Sequence, residues 1–231
     1  MDSINKVRSI TLWIFIIPFL AINICLILVT QFHELFPNQK DILHSTIPYF
    51  DGGASISRTA RVFPTYLVFK PAMFITSFLL IKYWMCNKKI ISLIEPENKY
   101  KNTMFIFGVA SAILLTIHSI FLGIKLDYNL YKLFRRVVIL LFIISELVAQ
   151  ALLVMTLYKI KNKVENIINF KFLRYKRILV TFLVIVAIIA IPIVSAPGNT
   201  SIKHALEWDY FVAVITFYLL TFFMWKKKIN S

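Results

Sequence analysis

Cysteine is nearly absent from this chain: two residues, Cys25 and Cys86, in 231. In the arrangement developed below they fall near opposite ends of the membrane, too far apart for a disulfide, which needs Cα atoms within about 7 Å. Neither has the spacing of a metal site. There are four histidines, but no HxxxH or HExxH occurs and His33 to His44 is not a metal spacing. Zinc needs about four convergent ligands, so neither a metal nor a cofactor is expected. No GxSxG elbow is present to present a nucleophilic serine, and no internal repeat, heptad or low-complexity tract appears. Acidic residues are few, 11 against 26 Lys and Arg, for a net charge of +15. The basic residues fall in clusters between apolar runs rather than on one continuous face, which argues against nucleic acid as a partner.

What the chain has in excess is apolar surface. It is 59% hydrophobic, with 21 Phe and 10 Tyr and a mean hydropathy of +0.75, against about 45–50% apolar residues in a soluble domain. That excess implies lipid rather than a larger core. Runs of about 20 apolar residues cross a ~30 Å hydrocarbon layer, and six are expected, at 10–30, 66–85, 103–122, 137–158, 178–194 and 209–225. The first lacks the short apolar core and small-residue cleavage site of a signal peptide, so it is kept as a span; Pro18 and Asn23 within it would kink the helix or seek a polar neighbour. The segment 159–177, KIKNKVENIINFKFLRYKR, is the most basic in the chain and could lie on the membrane as an interfacial helix. Most of the Lys and Arg flank the termini and the second and fourth loops, so the positive-inside rule puts both termini in the cytoplasm. The expectation is an all-α, polytopic protein, residues 1–231 forming one six-helix domain. Its membrane would be the plasma or inner membrane in a bacterium and the Golgi, ER or lysosome in a eukaryote. Charged residues do not recur along several spans, which weakens a channel or transporter reading.

The polar chemistry concentrates on the side opposite the termini. Residues 48–71, PYFDGGASISRTARVFPTYLVFKP, hold Asp51, Ser55, Ser57, Arg58, Arg61 and Lys70 just before a span, at headgroup depth. Guanidinium groups bind phosphate bidentately, so Arg58, Arg61 and Lys70, with Ser55 and Ser57, are candidate headgroup ligands; the alternative is solvation or snorkelling at the interface. Ser55 and Ser57 share the loop with His44 and Asp51, yet Ser and Gly in GGASIS serve more often as turn formers. His33, Glu34, Asp41, His118, Asp127, His204, Glu207 and Asp209 gather on the same side, and Asn199-Thr200-Ser201 there is a glycosylation sequon, meaningful only in a eukaryotic host. Within a span, Glu146 lies about ten residues deep, where a charged carboxylate costs on the order of 2.5–3.5 kcal/mol. It must face the bundle, either hydrogen-bonded to Asn23 or Gln150 or acting as a proton acceptor or headgroup ligand. His118, Glu146 and Glu207 are the candidates for any catalytic role.

SISRTARVFPTYLVFK resembles the first lumenal loop of the Frag/DRAM/Sfk superfamily, which includes the post-GPI-attachment lipid-remodelling proteins, the damage-regulated autophagy modulators and the N-terminal half of the GPI-ceramide remodelling protein. The matching positions are Pro48, Ser55-Ile56-Ser57, Pro64, Phe69 and Lys70. Glu207-Trp208 resembles the EW that opens the last helix in the autophagy modulators, and His118 stands where relatives often bear a His. The chain departs from the pattern at Thr65 and at Thr59-Ala60-Arg61. The resemblance implies six helices and a role tied to membrane lipids: remodelling or sorting of GPI-type or other glycolipids, or control of lipid asymmetry. The partners expected are membrane lipids, and the alternative is a non-enzymatic scaffold or regulator of lipid distribution. A lipid site on this side would show as a cavity open to the outer leaflet and lined by residues from Ser55 to Lys70.

Overall fold

The computed structural model of the protein describes residues 2–124 and 128–226; Asp127, Lys227 and Lys228 lie outside them. Nine α-helices occur among the described residues: α1 Asp2–Gln31, α2 Pro48–Asp51, α3 Ile56–Ala60, α4 Thr65–Ile94, α5 Lys101–Phe121, α6 Asn129–Lys159, α7 Lys161–Val164, α8 Phe170–Ser195 and α9 Thr200–Met224. Six of them, α1, α4, α5, α6, α8 and α9, are long and apolar enough to cross a membrane, so the chain is a multi-pass membrane protein. They run past the expected spans at most ends because hydropathy marks where lipid stops, whereas the i to i−4 hydrogen-bond ladder continues into water or headgroups. A helix of 30 residues reaches about 45 Å against a ~30 Å apolar layer.

The largest such extension changes a reading. Residues 170–177, expected within an interfacial helix, are instead the first two turns of α8, and only the four-residue α7 stands apart. The Asn169 side chain caps α8 by accepting from the Lys171 amide at 3.1 Å, which starts the helix well before the apolar run begins.

The six long helices close into a ring, α1 on α4, α4 on α5, α5 on α6, α6 on α8, α8 on α9, and α9 back on α1. Lipid is as apolar as leucine, so close approach and polar contacts hold such a ring together. Gly108 of α5 shows the first: any Cβ there would collide with the indole of Trp84 on α4. The interior carries Tyr83, Trp84, Phe217, Tyr218 and Lys176, with Tyr83 edge-on to Trp84 at 4.8 Å and to Tyr218 at 5.0 Å. Aliphatic residues such as Ile178, Ile185 and Ile189 of α8 face outward.

The two ends of the bundle are closed differently. At the end holding both termini, the Asn169 amide donates to the Met224 carbonyl at 2.8 Å and the Lys226 amide to Ile167 at 3.0 Å, and Lys163 pairs with Glu95 at 3.6 Å. At the other end, residues 32–64 form a lid with two 3-10 turns, His33–Leu35 and Gln39–Asp41, above a small cluster of Val29, Phe36, Ile42, Leu43 and Ala54. Both cysteines are free. Cys25 sits at the lid end, its thiol on the Thr65 carbonyl at 3.4 Å, and Cys86 lies among Lys6, Lys82 and Lys89 at the other.

Candidate functional site

The lid is clasped to the start of α9 by the two short motifs read from the sequence. Gly52 ends α2 in a left-handed conformation (φ 60°) and lies so close to the Ser201 backbone that no side chain fits between them. Its carbonyl meets His204 Nδ1 at 2.9 Å. The Trp208 indole donates to the Ala54 carbonyl at 2.9 Å and packs edge-on against Tyr49 at 4.9 Å. Ser55 caps α3 by accepting from the Arg58 amide at 3.2 Å, while the amides of Ile56 and Ser57 face the Glu207 carboxyl. Glu207 thus lies beside the first two amides of α3, and Ser55 accepts from the third. The SIS and EW elements meet, and what they build together is a helix start.

Several sequence candidates are therefore engaged structurally. Ser55 Oγ also contacts Ser57 Oγ at 3.1 Å. Asp51 accepts from the Ile47 and Gly53 amides and from Thr46 Oγ1, each at 2.8 Å; these bonds hold its carboxyl below the usual carboxylate range despite its full exposure. His44 packs edge-on against His33 at 5.1 Å, so serine, histidine and aspartate are not brought together as a triad. Lys70 donates to the Ile120 carbonyl in the last turn of α5 at 3.2 Å, where a cation suits the helix dipole. Arg58 and Arg61 are exposed. His118 lies apart from the clasp with Arg135 of α6 as its charged neighbour; His118 Nδ1 and Arg135 Nε are both buried without a hydrogen-bond partner.

Glu146 faces the bundle at 2% exposure. It accepts from Gln150 Nε2 at 2.8 Å, from the Tyr218 hydroxyl, and contacts Ser111 Oγ at 2.7 Å. Of the two expected partners, Gln150 is present and Asn23 is not: Asn23 instead donates to Phe19 and accepts from the Tyr49 hydroxyl at 3.1 Å. Ser111 has one proton and two acceptors within reach, Glu146 and the Gly108 carbonyl at 2.9 Å, so a proton on Glu146 would complete the set by donating to Ser111 Oγ. Either way the carboxyl is enclosed. A second buried polar group went unread in the sequence because Lys176 sits among exposed basic residues: it is 0% exposed, donates to Thr221 Oγ1 at 2.6 Å, and lies 3.7 Å from the centre of the Phe217 ring. Nothing in KFLRYKR separates it from its neighbours except the three- and four-residue spacing to the buried Leu173 and Val180.

The open feature of the lid end is a groove of about 500 Å³ between α1, α8 and α9. Phe19, Leu179, Val212 and Ala213 line its apolar length, and Asn23, Tyr49, Asp209 and Thr216 supply polar groups. Burial raises the Tyr49 phenol above its ordinary value; the hydrogen bond to Asn23 opposes the rise and the Asp209 charge adds to it. The expected lining from Ser55 to Lys70 is absent from this groove, which the 48–71 stretch reaches through Tyr49. This placement has a geometric cause: α3, capped by Ser55 and followed by Arg61, packs against α1, α4 and α9, and Arg61 lies against Gly123 after α5.

No curated protein and no solved structure matches the chain. The sequence profile of the Frag1/DRAM/Sfk1/Cwh43P N-terminal domain matches residues 7–225, the whole of the ring and its lid, and the chain belongs to that family.

Proposed function

We propose that this protein binds a membrane lipid at the lid end of the bundle, the outer-leaflet or lumenal side under the charge bias of its loops, and acts in the remodelling or distribution of GPI-type or other glycolipids and phospholipids. The observation that carries this reading is the groove: it is lined by apolar Phe19, Leu179, Val212 and Ala213 and by polar Asn23, Tyr49 and Asp209, in the wall of a membrane bundle, a lining that suits an acyl chain with a polar headgroup. Arg58 and Arg61 remain candidates for a phosphate at the lid surface. A second reading, a non-enzymatic regulator, draws support from the clasp, where Ser55 and His204 are engaged with backbone groups of the lid.

The test is lipidomics of a deletion strain complemented with the wild type, Ala213→Trp or Arg58→Ala. Ala213→Trp fills the groove, so it is expected to leave the lipid profile of the deletion unrestored. Full restoration by that variant would remove the groove from the function, and an unchanged profile on deletion would favour the scaffold reading.

A further inference from the structure

Asp209 is out of place as a membrane-facing residue. It lies 15 residues before Met224 on α9, about 22 Å along the axis, which puts it just inside the outer margin of a ~30 Å apolar layer. Carboxylates at such depth pair with a cation or line a polar cavity. Asp209 lines the groove, yet the one ion pair among the described residues, Lys163 with Glu95, is at the other end of the bundle. None of the residues lining the groove is cationic. The groove's other polar groups are the Tyr49 hydroxyl, already donated to Asn23, Asn23 itself, whose amide nitrogen is taken by the Phe19 carbonyl, and Thr216, whose hydroxyl donates to the Val212 carbonyl. The polar end of the groove thus offers acceptors and a negative charge, and lacks a cation of its own.

Building on the lipid-binding reading above, we infer that the groove selects a phospholipid with a primary ammonium headgroup of the ethanolamine type, the ammonium on Asp209 and an acyl chain along Phe19, Leu179 and Val212. A primary ammonium gives the carboxylate charge-assisted hydrogen bonds. A quaternary choline brings charge without donors, and a glycerol headgroup leaves the lipid's phosphate uncompensated beside Asp209.

The experiment is native mass spectrometry of the full chain in detergent, titrated separately with phosphatidylethanolamine, phosphatidylcholine and phosphatidylglycerol of identical acyl chains. Wild type, Asp209→Asn and Ala213→Trp are compared, each first checked for an intact thermal transition. The wild type is expected to retain the ethanolamine lipid about tenfold better than the glycerol lipid, with choline between. Asp209→Asn should bring the three lipids near parity while still retaining them. An unchanged ranking in Asp209→Asn, or equal retention of all three by the wild type, would overturn the headgroup assignment and leave the groove as a lipid site. Retention by the wild type no greater than by Ala213→Trp would instead overturn lipid binding in the groove.

Discussion

Two carboxylates in the membrane bundle invite comparison. Glu146, deep in a span, is the one that depth alone makes conspicuous, and it is enclosed by Ser111, Gln150 and Tyr218. Asp209, close to the outer margin of the apolar layer, lines an open groove that has no cationic residue in its lining. Burial and availability are therefore separate properties of a membrane carboxylate. A deep carboxylate must be satisfied for the bundle to assemble at all, and once satisfied by three side chains it has little capacity left for a ligand. A shallower one can be left for a partner that arrives with the lipid.

The sharpest way to break this comparison is at Glu146. Glu146→Leu strands the buried Tyr218 hydroxyl and leaves Gln150 only its long contact to the Val214 carbonyl at 3.4 Å, and is expected to cost about 2–3 kcal/mol, read as a large fall in thermal unfolding temperature in detergent or failure to accumulate in the membrane. Glu146→Gln keeps an acceptor for Gln150 and Tyr218 and gains a donor for Ser111, so both stability and lipid retention should survive. A Glu146→Gln protein that folds normally but loses lipid turnover would give Glu146 a chemical role and reverse the assignment made here.

At the lid, Trp208→Phe keeps the ring against Tyr49 and deletes the bond to Ala54. It is expected to cost about 1 kcal/mol, appearing as faster proteolysis within residues 32–64 with the ring of helices intact. Lys176→Met should cost nothing and raise the unfolding temperature slightly, since a buried amino group with a hydroxyl and a ring for company is readily replaced by an apolar side chain of similar volume. A clear loss of stability or of lipid binding in that variant would show that Lys176 serves the bundle in a way its contacts do not display.

The smallest effect concerns pH. Asp51 has its carboxyl lowered by bonds from Gly53, Ile47 and Thr46, so its contribution to the lid turn is fully present above the ordinary carboxylate value and is lost as pH falls through the lowered one. Protection of the Ile47 and Gly53 amides from hydrogen exchange, taken relative to their intrinsic rates at each pH, should therefore fall below about pH 4, and Asp51→Asn should abolish that pH dependence.

Much of this architecture was legible in the chain because lipid imposes a simple rule. Six apolar runs long enough to cross the bilayer gave six helices, and the clustering of polar loops placed the lid. Glu146 facing inward followed from the same cost. The chain was less informative wherever the deciding fact was a neighbour remote in sequence. Ser55, Ser57 and Glu207 are headgroup or catalytic candidates in the chain, and nothing local to either segment records that α9 sets Glu207 beside the first turn of α3. Lys176 was hidden among exposed lysines and arginines because helix phase, and not composition, buries it. Asp209 read as one more polar residue near a span, since nothing local records that α1 and α8 leave a groove beside it.

The groove at Asp209, under the lipid-binding proposal, holds a particular lipid rather than bulk membrane. Photocrosslinking from the membrane tests it most directly, with a benzophenone side chain placed either at Val212, in the groove, or at Ile188, on the exposed outer face of α8. Val212 is expected to give a lipid adduct that is enriched in one headgroup class and suppressed by Ala213→Trp, and Ile188 a mixture that mirrors the bulk bilayer. The same lipid composition and the same yield from both positions would contradict it.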